Sequence, residues 1–427
     1  MDIIKNKSRI AVWYRDFFHI NEVEKSETLK IVAWALLLGW FLEFSTWFKF
    51  SDFTINAVEE GRQLCWPFFQ SCGDWYFLTL EPIGNTHVLM YGILFGLLIT
   101  TAYTLIRGMY TRAHVLFLCL FLWEMTVLLM SMRLAVNYWY FHVFYVALFL
   151  FPVGKLMFLR LGAVFLYFFS GILKLDDGWL TGSYFKALSE GLYFIPDTLI
   201  PVATNAVIFI EIVLVWFLLS SKRGFRMPVL VILFIFHVYS VLFVGYTYPT
   251  IALSMVLVLF LSNEGYVSLM QTFKKSVTGI GIFTFFIIVH FIPYTIPGDS
   301  RITGEGNKFG MYMFDANYQC NSKAIFHQKD GQVTERESKS FFAIQRCDPY
   351  SHLFYLKNLC SIDSDIERVE WAFDISVNGS PLQRIVDEEN ACNLSYRTLS
   401  HNEWIKIPGV DEVSVIGPVS KNSYRPI

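Results

Sequence analysis

The sequence predicts an all-α polytopic membrane bundle of about nine transmembrane helices, followed by a small β-rich C-terminal domain on the exoplasmic side. Three observations predict it. Of the 427 residues, 54% are hydrophobic and only 16% are charged, where a soluble domain carries about 25%. Apolar runs of membrane-spanning length recur up to residue 297 and stop there. Nearly half of all Asp, Glu, Lys and Arg residues lie beyond that point, in less than a third of the chain, and Pro293, Pro297 and Gly298 mark the change. The chain therefore reads as a cytoplasmic N-terminal tail (1–28), a membrane domain (29–297) and an exoplasmic soluble domain (298–427). Aromatic residues at 18% and a mean hydropathy of +0.44 exclude a disordered chain, a coiled coil and an ordinary soluble enzyme. A net charge of -2 and a pI near 6.5 show no basic excess, so the expected partner is the lipid bilayer and not nucleic acid.

A helix needs about 20 apolar residues to cross the hydrocarbon core. The first run, 29–48, follows a stretch bearing Lys5, Lys7, Arg9, Arg15 and Lys25. It lacks a small-residue cleavage site and leads into further runs, so it reads as a span and not as a cleaved signal. Runs at 87–106 and 113–132 flank Arg107 and Arg112, and runs at 138–152 and 157–173 flank Lys155. The sixth and seventh, 200–220 and 228–247, flank Lys222, Arg223 and Arg226. The eighth, 249–263, follows with almost no connection, and the ninth, 278–296, comes after Lys274 and Lys275. The fourth and eighth are short, and a helical hairpin or re-entrant segment could replace either. With the N-terminus in the cytoplasm these basic residues fall inside, and only Lys49, Arg62, Arg133, Lys174 and Lys186 fall outside. An odd number of spans then places 298–427 in the periplasm, the extracellular space or, in a eukaryote, a lumen.

Cysteine placement points the same way. Cys119 lies inside the third run and reads as a small core residue. Cys65, Cys72, Cys320, Cys347, Cys360 and Cys392 all fall in segments placed outside, where up to three disulfides of undetermined pairing are expected. No Cys-x-x-Cys or His-x-x-His spacing occurs, so no metal is expected. In the C-terminal domain, 369–377 (VEWAFDISV) and 404–408 (WIKIP) alternate as strands do. Asn378-Gly379-Ser380 is a turn signal, and with Asn393-Leu394-Ser395 it also forms a glycosylation sequon.

Ionisable residues inside spans are costly and are therefore functional candidates. They are Glu43, Glu124, His142, Arg160, Glu211, His237 and His290, with Arg133 and Lys174 at span ends. Each also has a structural reading. Arg133 and Arg160 can snorkel to an interface, and Glu43 and His290 lie near enough to span ends to be hydrated. Glu124, Glu211 and His237 sit near mid-span, where a partner is needed in any case. The segment 160–182 is more informative. Ser170-Gly171 permit close helix contact, and Lys174 is followed by the polar turn Leu175-Asp176-Asp177-Gly178-Trp179. Structurally this is a snorkelling lysine, a helix stop and an interfacial tryptophan. Functionally, a lysine at the outer boundary, partly among apolar groups, is placed to act as a base. Asp177 would share its helix face if the helix continued, and would favour the charged amine instead.

YFFSGILKLDDGWLTG (167–182) closely resembles the membrane domain of vitamin K-dependent gamma-carboxylase and its microbial relatives, the horizontally transferred transmembrane (HTTM) domain. The stretch from Arg133 to Pro152, with Asn137, Tyr138, Trp139 and Tyr140, is a supporting match. Phe236-His237, followed by Leu242-Phe243, Gly245 and Tyr248-Pro249, is another. The resemblance covers most of 25–297. It implies a lyase-type enzyme in which Lys174 deprotonates a reduced, vitamin K-like quinone on the exoplasmic side. The oxygenated quinone would remove a glutamyl γ-proton from a peptide or protein substrate, and carbon dioxide would trap the carbanion. It further implies His237 and His142 as catalytic-site histidines, with Asn137, Tyr138, Asp177 and Trp179 lining the substrate mouth. The family carries two adjacent lysines where this chain has Leu173-Lys174, and Asn-His where it has Asn137-Tyr138. Its exoplasmic region is also far longer, so clotting-type substrates are not implied. The start of the tail, from Gly304-Glu305-Gly306 to Asp315, resembles the family's segment after the last span and reads as an amphipathic connector on the membrane. The alternative is a non-enzymatic membrane scaffold that binds a lipid, a quinone or a partner protein in peptide maturation or export. A transporter ranks third, since no pair of broken helices recurs in corresponding halves.

Overall fold

The computed structural model describes residues 2–49, 64–69, 86–130, 132, 137–186, 191–266, 269–310, 312, 315–340 and 347–417. These form two compact units. The first takes in the described residues up to 49, those from 86 to 169 and those from 210 to 287; the second takes in 64–69, those from 170 to 209 and those from 288 onward.

In chain order the helices begin with α1 (Asp2–Phe17), α2 (Ile20–Lys25), α3 (Glu27–Lys49), α4 (Thr86–Ile106), α5 (Tyr110–Met130), α6 (Asn137–Leu150) and α7 (Lys155–Leu173). The short α8 (Asp177–Leu180) and α9 (Ser183–Lys186) precede α10 (Ile200–Ile212). Then come α11 (Arg223–Val244), α12 (Thr247–Leu261), α13 (Leu269–Lys275), α14 (Val277–Phe291) and the single turn α15 (Ser300–Thr303). Among the described residues six helices are long and apolar enough to cross a membrane: Glu27–Lys49, Tyr110–Leu129, Lys155–Leu173, Asp197–Leu219, Arg223–Phe243 and Val277–Thr295. The other three expected spans coincide with shorter apolar helices, Met90–Ile106, Phe141–Leu150 and Thr247–Leu261. Length separates Asn137–Leu150 and Thr247–Leu261 from the six, whereas the whole helix Thr86–Ile106 has 21 residues. The 15 residues of α12 reach only about 23 Å, against a hydrocarbon core of about 30 Å.

Helix α3 shows why this composition suits a bilayer. Leu29, Val32, Leu36 and Trp40 are buried, while Ile31, Trp34, Leu38 and Phe41 form an exposed stripe. A helix apolar on both faces needs an apolar solvent. Cys119 also lies on an exposed surface, not in the core as its position in the third run suggested.

Two buried arginines and a partly buried glutamate of the first unit are tied to helix ends. The Glu22 carboxylate accepts from the Gly154 and Lys155 amides at 2.9 and 3.0 Å, placing an anion at the N-terminus of α7. Arg160 is fully buried and does not snorkel. It donates to the carbonyls of Leu259 and Glu264 at 2.8 and 2.6 Å, and Arg226 donates to those of Phe260 and Ser220 at 2.8 and 3.0 Å. The two guanidinium groups lie 3.8 and 4.4 Å from the Tyr266 ring centre. Together they satisfy the Leu259 and Phe260 carbonyls at the C-terminus of α12, the pole that favours cations.

The second unit is built on a five-stranded antiparallel sheet of order β2-β1-β3-β4-β5, from β1 (Tyr318–Gln328), β2 (Val333–Ser340), β3 (Ile366–Val377), β4 (Leu382–Glu388) and β5 (Val415–Gly417). The helix α16 (Pro349–Ile362) contributes Leu353 and Leu356 to the core of Phe326, Val369, Trp371, Phe373 and Ile375. Val369 to Ile375 alternate into that core, as the 369–377 pattern predicted. At the hairpin, Asn378 and Gly379 both take positive φ, +54° and +76°, as the two central residues of a tight turn closed by the Ser380 amide on the Val377 carbonyl at 3.1 Å. The 404–408 segment differs from expectation. Trp404, Ile405 and Ile407 are buried, but the segment is a turn joined to β4 by the Lys406 amide on the Ile385 carbonyl, 2.7 Å. Its alternation reflects one-sided burial without a partner strand.

Disulfides Cys320–Cys347 and Cys360–Cys392 staple this unit, and Cys65 is disulfide-bonded as well; Cys72 lies outside the described residues. The described residues of the 304–315 connector do not form an amphipathic helix. Residues 304–310 make a largely buried turn, because Glu305 points inward and accepts from the Asn402 backbone amide and side-chain Nδ2, both at 2.7 Å, and from His401 at 2.8 Å.

The His352 ring packs 4.9 Å from the Phe373 ring centre, and burial lowers its pKa to about 4 from the usual 6.5. The unfolded chain therefore takes up this proton first. Stability is full above pH 6.5 and falls progressively towards pH 4. A loss of about 2 kcal/mol by pH 5 is expected. His352→Gln should flatten that part of the pH profile of chemical denaturation, followed by proteolysis of the C-terminal domain.

Candidate functional site

The 167–182 motif belongs, from Ser170 onward, to the second unit. Helix α7 ends at Leu173 and Lys174 occupies the following turn. Its side chain is buried, its Nζ donates to Ser170 Oγ at 2.7 Å, and Nζ lies 5.2 Å from the Trp179 ring centre. Asp176 starts a new helix: its carboxylate accepts from the Gly178 and Trp179 amides at 2.7 and 3.3 Å, capping α8. Asp177 therefore does not continue the face of Lys174 and is exposed. Trp179 is 4% exposed and stacks on Tyr184, ring centres 5.3 Å apart. It is a packing residue of this turn and not the interfacial anchor its composition suggested.

Two residues outside the motif complete it. Asp176 pairs with Arg301 at 2.9 Å. Burial pushes the Asp176 carboxyl up from its ordinary value, while the guanidinium and the two amides pull it down. Gly178 faces the β3–β4 hairpin, where a Cβ would lie 2.0 Å from Asn378 Nδ2, so only glycine fits. The Asn378 side-chain oxygen accepts from the Asn317 amide at 2.9 Å, and Asn317 in turn donates to the Tyr184 carbonyl. Thus the sequon at Asn378 is engaged in packing, and that at Asn393 is exposed.

The expected histidines belong to the first unit and fall in separate clusters there. His237 is buried, hydrogen-bonded to the Tyr167 hydroxyl and 5.8 Å from the Tyr248 ring centre. His142 lies with Glu43 and Glu124, each 1% exposed. Its Nδ1 is 3.3 Å from Glu124 Oε1, its Nε2 is 2.9 Å from the Leu36 carbonyl, and Trp40 Nε1 donates to Glu124 Oε2 at 2.8 Å. Gly39 lets α3 approach, since a Cβ there would meet His142 Cδ2 at 2.5 Å. Glu43 is therefore enclosed, not hydrated from a span end, and so is His290. Asn137 and Tyr138 open α6, and Arg133 lies outside the described residues.

Asp176, Arg301 and Asn378 were absent from the sequence-based set of site residues. An aspartate two residues before a Gly-Trp turn carries a capping signal, but Arg301 and Asn378 are far away in sequence and carry none. Comparison with family models, curated proteins and solved structures finds no match. Fold and geometry define the class: a multi-pass helical membrane protein with a disulfide-stapled β domain.

Proposed function

We propose that the chain is a membrane-embedded enzyme of the gamma-carboxylase type, using a reduced quinone and Lys174 as the base that deprotonates it. One observation carries the reading. Lys174 is a buried amine that donates to the Ser170 hydroxyl. A hydroxyl accepts from an ammonium and donates to a neutral amine equally well, so this pairing tolerates both protonation states that a base must visit. Trp179 supplies an apolar wall beside the amine, of the kind a quinone ring requires. The resemblance of 167–182 to the HTTM domain supplies the reaction class. The disulfides support an exoplasmic position for the C-terminal domain, and the basic residues before the first span support a cytoplasmic N-terminus.

The test is turnover by purified protein in detergent with a reduced naphthoquinone and a pool of Glu-rich peptides, following quinone oxidation and labelled carbon dioxide uptake. Wild-type turnover that falls at least about a hundredfold in Lys174→Ala is the expected result. Equal turnover in the two proteins would remove Lys174 from the chemistry.

A second reading has its own observation. The motif also docks the β domain, through Asp176 on Arg301 and Gly178 on Asn378. A scaffold that binds a lipid, a quinone or a partner protein needs that docking and has no need of the amine. On this reading Lys174→Ala leaves partner binding intact, and changes at Gly178 abolish it.

A further inference from the structure

We propose that Glu43, Glu124 and His142 form an intramembrane site for a single divalent transition-metal ion of the zinc, manganese or iron(II) class. Among the described residues they are the one group whose carboxylate and imidazole atoms can converge on an ion, all lying within 4.8 Å of one another. The three come from α3, α5 and α6, and each is 1% exposed.

The hydrogen bonds around the group already hold its ligands in register. The Leu36 carbonyl can only accept, so His142 Nε2, 2.9 Å away, carries the proton. In the neutral ring this leaves the Nδ1 lone pair directed at Glu124 Oε1, 3.3 Å away, so two acceptors face each other in a dry interior. Glu43 Oε1 is fully enclosed and has no hydrogen-bond partner. Three converging acceptors need either a metal ion or shared protons among them. A divalent ion with two carboxylates and one neutral imidazole sums to zero charge, the least costly total in a medium of low dielectric constant. The outer atoms are spoken for: Trp40 Nε1 fixes Glu124 Oε2 at 2.8 Å, and Leu36 fixes the imidazole tautomer, the usual support of a metal ligand.

Ligand chemistry narrows the ion. Imidazole disfavours calcium and magnesium, and the lack of sulfur disfavours copper(I). Three protein ligands leave at least one coordination position open, unlike the four-ligand closed sites that serve structure alone. The site does not depend on Lys174, and its test is independent of the turnover assay.

Metal content of the detergent-purified wild type, after incubation with Zn2+, Mn2+ or Fe2+ and gel filtration, is expected to be about one ion per chain. Glu43→Gln and His142→Gln should each lower retention at least about tenfold in protein that stays monodisperse and helical, and Trp40→Phe should weaken it less. Where a variant fails to fold, wild type answers alone: the ion should raise its Tm, a chelator should reverse the shift, and Co2+ should give visible absorption bands. Folded wild type with no bound ion, no Tm shift and no Co2+ spectrum would mean that protons hold the cluster, and would overturn the proposal. Undiminished metal in both ligand variants would overturn it equally.

Discussion

Glu305→Ala is expected to cost about 3 kcal/mol in the C-terminal domain, the largest effect of a single substitution outside the membrane. The carboxylate is 1% exposed and collects two hydrogen bonds from Asn402 and one from His401. Truncation leaves the Asn402 amide donors buried without that acceptor, and the cost is the desolvation of groups that water cannot reach. Asn402 also donates to the Arg397 carbonyl and accepts from the Arg397 amide, at 3.0 and 2.6 Å. Loss of Glu305 should therefore loosen residues 397–402 first. Chemical denaturation followed by proteolysis of the domain measures the total, and hydrogen exchange at 397–402 locates it. Glu305→Gln keeps one acceptor and should cost clearly less.

Gly178→Ala comes next, at about 2 kcal/mol. The new methyl would lie 2.0 Å from Asn378 Nδ2 and 2.8 Å from Asp176 Oδ1. Neither neighbour gives way cheaply. Asn378 is held by its left-handed backbone and by the bond from the Asn317 amide, and Asp176 by the two amides it caps. The expected result is a lower Tm and earlier proteolysis of the β domain. Removing the obstruction should reverse part of the loss, so Gly178→Ala with Asn378→Ala should be less destabilised than the sum of the two single changes. Additive losses would show that the hairpin does not press on the motif.

What the sequence revealed of this molecule, and what it hid, follows from the range of each interaction. The apolar runs were legible because a span is a local property of about 20 residues. Which runs fall short, as at Thr247–Leu261, depends on where the helix stops, and that is weakly encoded. Asn378-Gly379 was legible because both residues must take positive φ, which few residue types accept. The 404–408 segment misled because alternation reports one-sided burial, and only a partner strand turns that into sheet.

The candidate site divides along the same line. The helix stop at Lys174 and the turn at Gly178 are written in the motif itself. The partners that give them meaning, Arg301 and Asn378, come from more than a hundred residues away. Arg160 read as a snorkelling residue because sequence shows depth in a span and not the helix end that lies beside it. Glu43, Glu124 and His142 have no fixed spacing, so a search for short metal motifs passes over them, and only the packing of three helices brings them together.

The most direct test of the central claim is chemical rescue of Lys174→Ala by a small alkylamine, with oxidation of a reduced naphthoquinone as the readout. If Lys174 is the base, wild type turns over, the variant does not, and added amine restores part of the rate in proportion to its basicity. A folded variant that oxidises the quinone as fast as wild type, with or without amine, would contradict the account.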